Sequence, residues 1–153
     1  MTILNRNLEN QKIKSVSGSM IVTNLYTAGI GGELFLRALK DNQEILGSHC
    51  SKCKKSFIPA RLFCERCLSR LTQHKPAPRE GVLQSFTTVH IDLDGKTLSE
   101  PELFGFITFK GFEGGMIHRL RSNSNLKIGT KVKPVFASDR KGSINDISYF
   151  TAA

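Results

Sequence analysis

All four cysteines of this 153-residue chain fall within residues 50–67, in the segment CSKCKKSFIPARLFCERC. They form two Cys-x-x-Cys pairs that are separated by ten residues. Each pair can place two sulfurs on one tight turn, and two such turns can offer four thiolates to a tetrahedral metal ion. The spacing therefore predicts a metal-bound ribbon whose ligands are Cys50, Cys53, Cys64 and Cys67.

Zinc is the metal that this ligand set favours, and iron, which accepts the same tetrahedral sulfur geometry, is the less favoured alternative. Because the protein fills all four positions, we expect the ion to be structural and not catalytic. Disulfides would require an oxidising compartment, and no apolar signal segment follows the basic residues near the N-terminus. We therefore expect a cytoplasmic protein without a membrane span.

The rest of the sequence predicts a mainly β protein in four parts. Residues 1–25 are polar and are expected to form a mobile N-terminal arm, and residues 26–47 a helical segment whose amphipathic helix lies in GELFLRALKDN. Residues 48–75 would form the zinc ribbon, and QHKPAPREG is interpreted as a linker. Residues 81–150 contain five short β-rich stretches with turn residues between them, which predict a five-stranded OB-fold barrel. These stretches are VLQSFTTVHI, LFGFITFK, GMIHRLR, KVKPVF and INDISYF.

Positive charge is concentrated in the first half of the chain. The formal net charge is +9, and residues 1–80 carry 13 Lys/Arg against 6 Asp/Glu, whereas residues 81–153 carry 9 against 7. Part of the basic excess around the cysteines would offset the net charge of a zinc ion bound by four thiolates. The remainder favours an anionic partner.

The motifs of common catalytic sites are absent from the sequence. There is no Gly-x-Ser-x-Gly elbow, no P-loop and no His-Glu-x-x-His. The cysteines are committed to the metal, and the four histidines are expected to have structural roles. The sequence therefore predicts a protein that is not an enzyme by itself, although it could be a subunit of an enzyme complex.

Taken in order, these motifs resemble a family of two-domain proteins with a rubredoxin-like zinc ribbon and a C-terminal OB-fold, a former domain of unknown function that is associated with acyl-CoA. The resemblance covers roughly residues 26–150. It is carried by the segments GELFLRALKDNQEILGSHCSKC, IPARLFCERC, GVLQSFTTV and LKIGTKV. The family often has glycine after the second cysteine of each pair, where this chain has Lys54 and Leu68, and a tryptophan before the barrel, which this chain lacks.

This resemblance implies a non-catalytic accessory subunit that binds or channels acyl-CoA. Its partner would be a thiolase-like or related CoA-thioester enzyme. CoA carries phosphate groups, which Lys and Arg bind through charge-assisted hydrogen bonds. The candidates for these contacts are Lys54, Lys55, Arg61 and Arg66.

The alternative is a nucleic-acid-binding protein, since OB-folds bind single strands with a basic groove and stacked aromatic side chains. The stacking candidates are Phe104, Phe106, Phe109 and Phe112. Strand alternation places Phe104 and Phe106 on the face opposite Phe109, so part of this set is expected to be core. The basic excess also lies outside the barrel, which favours the accessory-subunit interpretation.

Overall fold

The computed structural model describes Gly18, residues 26–121 and residues 126–153. Apart from Gly18, the predicted N-terminal arm lies outside the described residues. Within the described ranges, no helix is long and apolar enough to cross a membrane. The strands are β1 (Leu46–Cys50), β2 (Lys55–Ile58), β3 (Gln73–Pro76), β4 (Gly81–Ile91), β5 (Thr97–Thr108), β6 (Glu113–Gly114), β7 (Met116–Arg121), β8 (Lys131–Phe136) and β9 (Ile147–Ala152).

A short amphipathic helix, α1, spans Gly29–Arg37 and continues as a π-helical turn over Ala38–Asn42. Its buried face carries Phe35, Ala38 and Leu39, as helical spacing predicts, but Leu34, which the same spacing places on this side, is 36% exposed. Gly31 allows the helix to lie close to the ribbon, because a Cβ there would be 3.2 Å from the backbone of Arg61. The helix therefore covers the ribbon and adds its apolar side chains to the common core.

The ribbon is a four-stranded sheet in the order β3-β1-β2-β6. The first cysteine pair lies at the turn between β1 and β2, which pair antiparallel. The interpretation of QHKPAPREG as a linker was wrong for its first half, since β3 pairs with β1 from Gln73 to Pro76. This strand is polar, largely exposed and ends in proline, so it lacks the apolar alternation that identifies a strand in sequence. It can form because polar residues and proline are tolerated in a strand at the edge of a sheet.

The barrel is closed by five strands in the order β4-β5-β7-β9-β8, which confirms the mainly β fold with a C-terminal OB-fold. Its interior is filled by alternate residues of the strands, as along β7, where Met116, His118 and Leu120 are buried and the residues between them are exposed. Ile58 and Ala60 of the ribbon pack into the same apolar cluster as the barrel interior. Ribbon and barrel therefore share one core.

A backbone contact also joins the two parts, because β6 pairs in parallel with β2. Gly114 of β6 lies opposite Ile58 and has a φ of 84°. A Cβ on Gly114 would lie 2.7 Å from the carbonyl oxygen of Ile58. Only glycine suits both this left-handed conformation and this close approach.

β5 begins at Thr97, well before the predicted stretch LFGFITFK, whereas β4 matches the predicted stretch VLQSFTTVHI to within one residue. β8 pairs with β4 only at Gly81 and Val82, and β7 pairs with β5 only from Leu103 to Ile107. Beyond these positions β4 and β5 pair with each other, with Val89 opposite Glu102 and Ile91 opposite Thr97. Residues 89–102 therefore form a two-stranded extension of the barrel, which we call the β4–β5 arm.

The connection between β8 and β9 is organised by the buried carboxylate of Asp146. It accepts hydrogen bonds from the backbone N–H groups of Lys141 at 2.9 Å and Gly142 at 2.8 Å. Burial by itself raises the pKa of Asp146, but these hydrogen bonds act the other way and the net pKa lies below its ordinary value. Arg140 in the same loop donates to the carbonyl of Lys40 at 2.7 Å, so the loop also holds the π-helical turn.

We expect Asp146→Asn to lower the free energy of unfolding by about 2 kcal/mol at neutral pH, because an amide group then faces N–H donors in a buried site. The folded-state pKa is depressed, so the carboxylate stabilises the fold above its unfolded pKa of about 3.9 and this contribution is lost as the pH falls through the folded pKa. Urea unfolding across the neutral range should therefore give a constant difference from wild type. Asp139→Asn is the control, since this carboxylate lies in the same loop with its side chain 79% exposed. An equal loss in both variants would contradict the prediction.

Candidate metal centre

The four cysteine sulfurs converge on one point of the ribbon. They lie within 4.8 Å of one another, with 3.6 Å between Cys50 and Cys67 and 3.9 Å between Cys53 and Cys64. Four sulfurs around a tetrahedral zinc, each at about 2.3 Å, are roughly 3.8 Å apart. Disulfide sulfurs would be about 2.05 Å apart. The donor set therefore fits a single tetrahedral metal ion and not a pair of disulfides.

Each cysteine pair lies on a tight turn that orients its two sulfurs. In the first turn the backbone N–H of Cys53 donates to the sulfur of Cys50 at 3.4 Å. Lys54 and Leu68, the residues that follow the second cysteine of each pair, have φ angles of 56° and 57°. Both turns therefore place a residue other than glycine in the left-handed conformation, at a cost of roughly 1–2 kcal/mol for each such residue.

The thiols differ in acidity because their hydrogen-bond partners differ. The Cys53 backbone N–H and the Ser69 hydroxyl lower the pKa of Cys50 to about 6, against the effect of burial. Hydrogen bonding with Cys67 and burial raise the pKa of Cys53 to about 12. The Ser69 hydroxyl and N–H lower the pKa of Cys67. The cluster therefore offers a ready thiolate at Cys50, and a metal ion would displace the proton that Cys53 retains.

One serine, Ser69, contacts the sulfur cluster, and a second, Ser48, holds the ribbon backbone beside it; neither was predicted from the sequence. The hydroxyl of Ser69 lies 3.0 Å from the sulfur of Cys67 and 3.5 Å from that of Cys50. Ser48 is fully buried, and its hydroxyl donates to the carbonyl of Arg61 and accepts from the N–H of the same residue, both at 2.9 Å. The position of Ser69, two residues after the last cysteine, is the one local signal that could have indicated a hydroxyl near the sulfurs.

Three of the four predicted phosphate-binding side chains are already paired with carboxylates. Lys55 and Arg66 both reach Glu113 of β6, at 2.9 and 3.3 Å, and Arg61 reaches Glu65 at 2.6 Å. The hydrogen bond from Lys55 lowers the pKa of Glu113, so this carboxylate is ionised and shared by two cations. A role of these residues in binding CoA therefore stays a prediction, and any phosphate would compete with these carboxylates.

His49 and His74, the histidines nearest the cysteines, hydrogen-bond with serine hydroxyls of the ribbon, each at 3.0 Å. In the barrel interior, Nε2 of His118 lies 3.2 Å from the carbonyl oxygen of Ile144. Burial lowers the pKa of His118, which favours a neutral ring that donates this hydrogen bond. These contacts are structural, in agreement with the sequence analysis.

The aromatic side chains proposed for base stacking do not form an exposed platform. Phe109 is 2% exposed and contacts the ring of Phe150 in the barrel core. Phe104, Phe106 and Phe112 are partly buried. The nucleic-acid alternative therefore loses the stacking surface on which it depends.

Family models match both parts of the chain in sequence order. Residues 37–72 match the ChsH2 rubredoxin-like zinc ribbon domain, and residues 74–137 match the ChsH2 C-terminal OB-fold domain. A search of curated proteins finds no significant match.

Two solved structures share the architecture. A protein of unknown function from the DUF35 family of Sulfolobus solfataricus is 28% identical, with a TM-score of 0.65 over 82% of this chain and 87% of its own. A structure described as an Ltp2-ChsH2(DUF35) aldolase is 15% identical, with a TM-score of 0.60 over 81% of this chain and 95% of its own. At this lower identity the second structure supports the fold alone.

Proposed function

Since this chain belongs to the ChsH2 family of rubredoxin-like zinc ribbons joined to OB-folds, we propose that it is a non-catalytic accessory subunit that binds or channels acyl-CoA for a CoA-thioester enzyme. The observation that carries this proposal is the match of both domains, in order, to the two ChsH2 models. The structure described as an Ltp2-ChsH2(DUF35) aldolase shares the fold, and from its description we propose an enzyme as the partner of this chain. A thiolase-like enzyme is the partner that we propose.

The metal in this proposal is a structural zinc bound by Cys50, Cys53, Cys64 and Cys67. All four ligands come from the protein, so no coordination position is left for a substrate or an activated water. When bound, the zinc supplies a cross-link between the two cysteine turns and no chemistry of its own. Catalysis would then belong to the partner enzyme, and the reduced thiols fit a cytoplasmic location.

The contribution of this chain to CoA binding would come from the basic face of the ribbon. Lys54 has no ion pair within the described residues, whereas Lys55 and Arg66 share the single carboxylate of Glu113. Two cations on one carboxylate leave a net positive charge that a phosphate group can neutralise. Arg61 lies over the ring of Phe57, with 5.0 Å between its guanidinium carbon and the ring centroid, which fixes its direction.

The test starts with mild affinity purification of the tagged protein from its native cells, followed by measurement of CoA affinity in the recovered complex. We expect a CoA-handling enzyme at near-equal amount. We also expect charge reversal at Lys54, Lys55, Arg61 and Arg66 to weaken CoA binding at least tenfold, since charged hydrogen bonds each contribute about 1.5–3 kcal/mol.

The control reverses four exposed lysines on the barrel side: Lys110, Lys127, Lys131 and Lys133. Equal CoA affinity in the ribbon variant and the wild type would contradict the residue assignment. Recovery of nuclease-sensitive nucleic acid in place of an enzyme would contradict the accessory role and favour the nucleic-acid alternative.

A further inference from the structure

The four cysteines of the metal centre differ in their exposure to solvent. Cys50 and Cys64 are buried, Cys53 is partly buried and Cys67 is exposed. A chelator or an oxidant that removes a bound ion must first reach one of the ligands, and accessible thiolates react before buried ones. Cys67 is therefore the ligand at which loss of the metal would begin.

The two cysteine turns have similar backbones but differ in the side chain two residues after the second cysteine. Lys54 and Leu68, which directly follow that cysteine, are both left-handed. The next residue is Lys55 in the first turn, and its ammonium group pairs with Glu113. In the second turn it is Ser69. At this position a hydroxyl therefore occurs only in the turn that contains the exposed cysteine.

The hydroxyl of Ser69 contacts sulfurs of both turns. It lies 3.0 Å from the sulfur of Cys67 in its own turn and 3.5 Å from the sulfur of Cys50 in the other. Ligands of a bound metal are thiolates, which only accept hydrogen bonds, so the serine must be the donor. Because a hydroxyl has a single hydrogen, the shorter contact directs it to Cys67. The exposed ligand is thus the one that this serine restrains.

Hydrogen-bond partners outside the ligand set orient metal ligands, and their loss commonly lowers metal affinity by about 10–100-fold. We propose that Ser69 is a positioning residue of the metal centre, whose hydroxyl holds the exposed Cys67 thiolate toward the other three sulfurs and so slows the loss of the metal. This inference rests on the structural metal proposed above. It adds to the four ligands a fifth residue on which retention of the metal depends.

The test uses the full chain loaded with one zinc ion and measures the rate at which zinc passes to an excess of a chromogenic chelator at neutral pH. Ser69→Ala should release zinc about tenfold faster than the wild type. Ser69→Thr keeps the hydroxyl and should restore a rate close to that of the wild type. Ser51→Ala is the matched control, because Ser51 is an exposed serine of the first turn whose hydroxyl contacts no sulfur in the described part of the chain. Its rate should be unchanged.

A spectrum of the cobalt-loaded chain separates a direct effect on the sulfurs from a general loosening of the ribbon. Co²⁺ bound by thiolates has a sulfur-to-metal charge-transfer band, whose energy depends on the electron density at the sulfurs. Hydrogen bonds to the sulfurs draw electron density away from the metal and tune such centres. The band of Ser69→Ala should therefore lie at longer wavelength than that of the wild type, whereas Ser51→Ala should leave it in place.

The outcomes distinguish this inference from the metal assignment on which it rests. A wild-type chain that binds no metal would overturn both. A wild-type chain with one metal ion, and a Ser69→Ala variant that releases it at the same rate, would overturn the role of Ser69 alone. Faster release without a shift of the charge-transfer band would also overturn it, since the serine would then act on the ribbon and not on the sulfur.

Discussion

Removal of the metal is expected to unfold the ribbon while the barrel stays folded. Apart from the ligands, the ribbon's own buried cluster has only Phe57 and Leu71, since its other two fully enclosed members are Cys50 and Cys64. Structural zinc supplies an apparent free energy of ~10–16 kcal/mol at neutral pH, which is comparable with the whole stability of a small domain. The barrel keeps its own interior, including Leu83, Ile107 and Phe150.

Hydrogen exchange before and after chelation would measure this difference. Amides of β1, β2 and β3 should lose their protection, while those of β5, β7 and β9 should keep theirs. Cys64→Ser should have the same effect as chelation and should bind less than one metal per chain. Ser51→Ala, in the first cysteine turn but not a ligand, is the control and should retain a full complement. A ribbon that stays protected without metal would contradict the assignment, and bound iron would correct only the identity of the ion.

Gly114→Ala is expected to lower the free energy of unfolding by about 3 kcal/mol. The substitution imposes a left-handed conformation on a residue with a side chain, which costs about 1 kcal/mol. It also places a Cβ 2.7 Å from the carbonyl oxygen of Ile58. Because this oxygen belongs to the backbone of β2, the overlap can be relieved only by separating β2 from β6, at a further cost of about 2 kcal/mol.

Gly111→Ala separates these two contributions. Gly111 has a φ of 82°, against 84° for Gly114, but a Cβ at Gly111 would meet no atom within 4 Å. Its expected loss is therefore about 1 kcal/mol, from the backbone conformation alone. Urea unfolding of both variants would measure the difference, and hydrogen exchange at Ile58 would locate it. Equal losses would mean that the contact between ribbon and barrel does not constrain Gly114.

The patterns that predicted the fold are short-range ones. The spacing of Cys50, Cys53, Cys64 and Cys67 is local, and the helical spacing of Phe35 and Leu39 likewise needs only one segment. The strands β3 and β6 were missed because they are short and polar, and only their pairing with β1 and β2 makes them strands. The first half of β5 was not predicted because it buries few apolar side chains and so gives little alternation.

For the candidate CoA contacts, too, the sequence indicated part of the answer and the folded chain supplied the rest. Sequence composition identified a basic segment around the cysteines. It did not indicate that Glu113, from the barrel half of the chain, would pair with Lys55 and Arg66. That pairing exists because β6 returns to the ribbon sheet beside β2. The number of cations available to a phosphate is therefore a property of the folded chain.

By itself, the sequence indicated the cluster of four cysteines, the order of helix, ribbon and barrel, and the family. These follow from residue spacing and periodicity within single segments. Only the tertiary structure decided which cations are neutralised, why Gly114 must be glycine, and how far β5 extends beyond its pairing with β7. Each of these depends on the distance between groups far apart along the chain, and such distances are set by strand pairing and packing of the shared core.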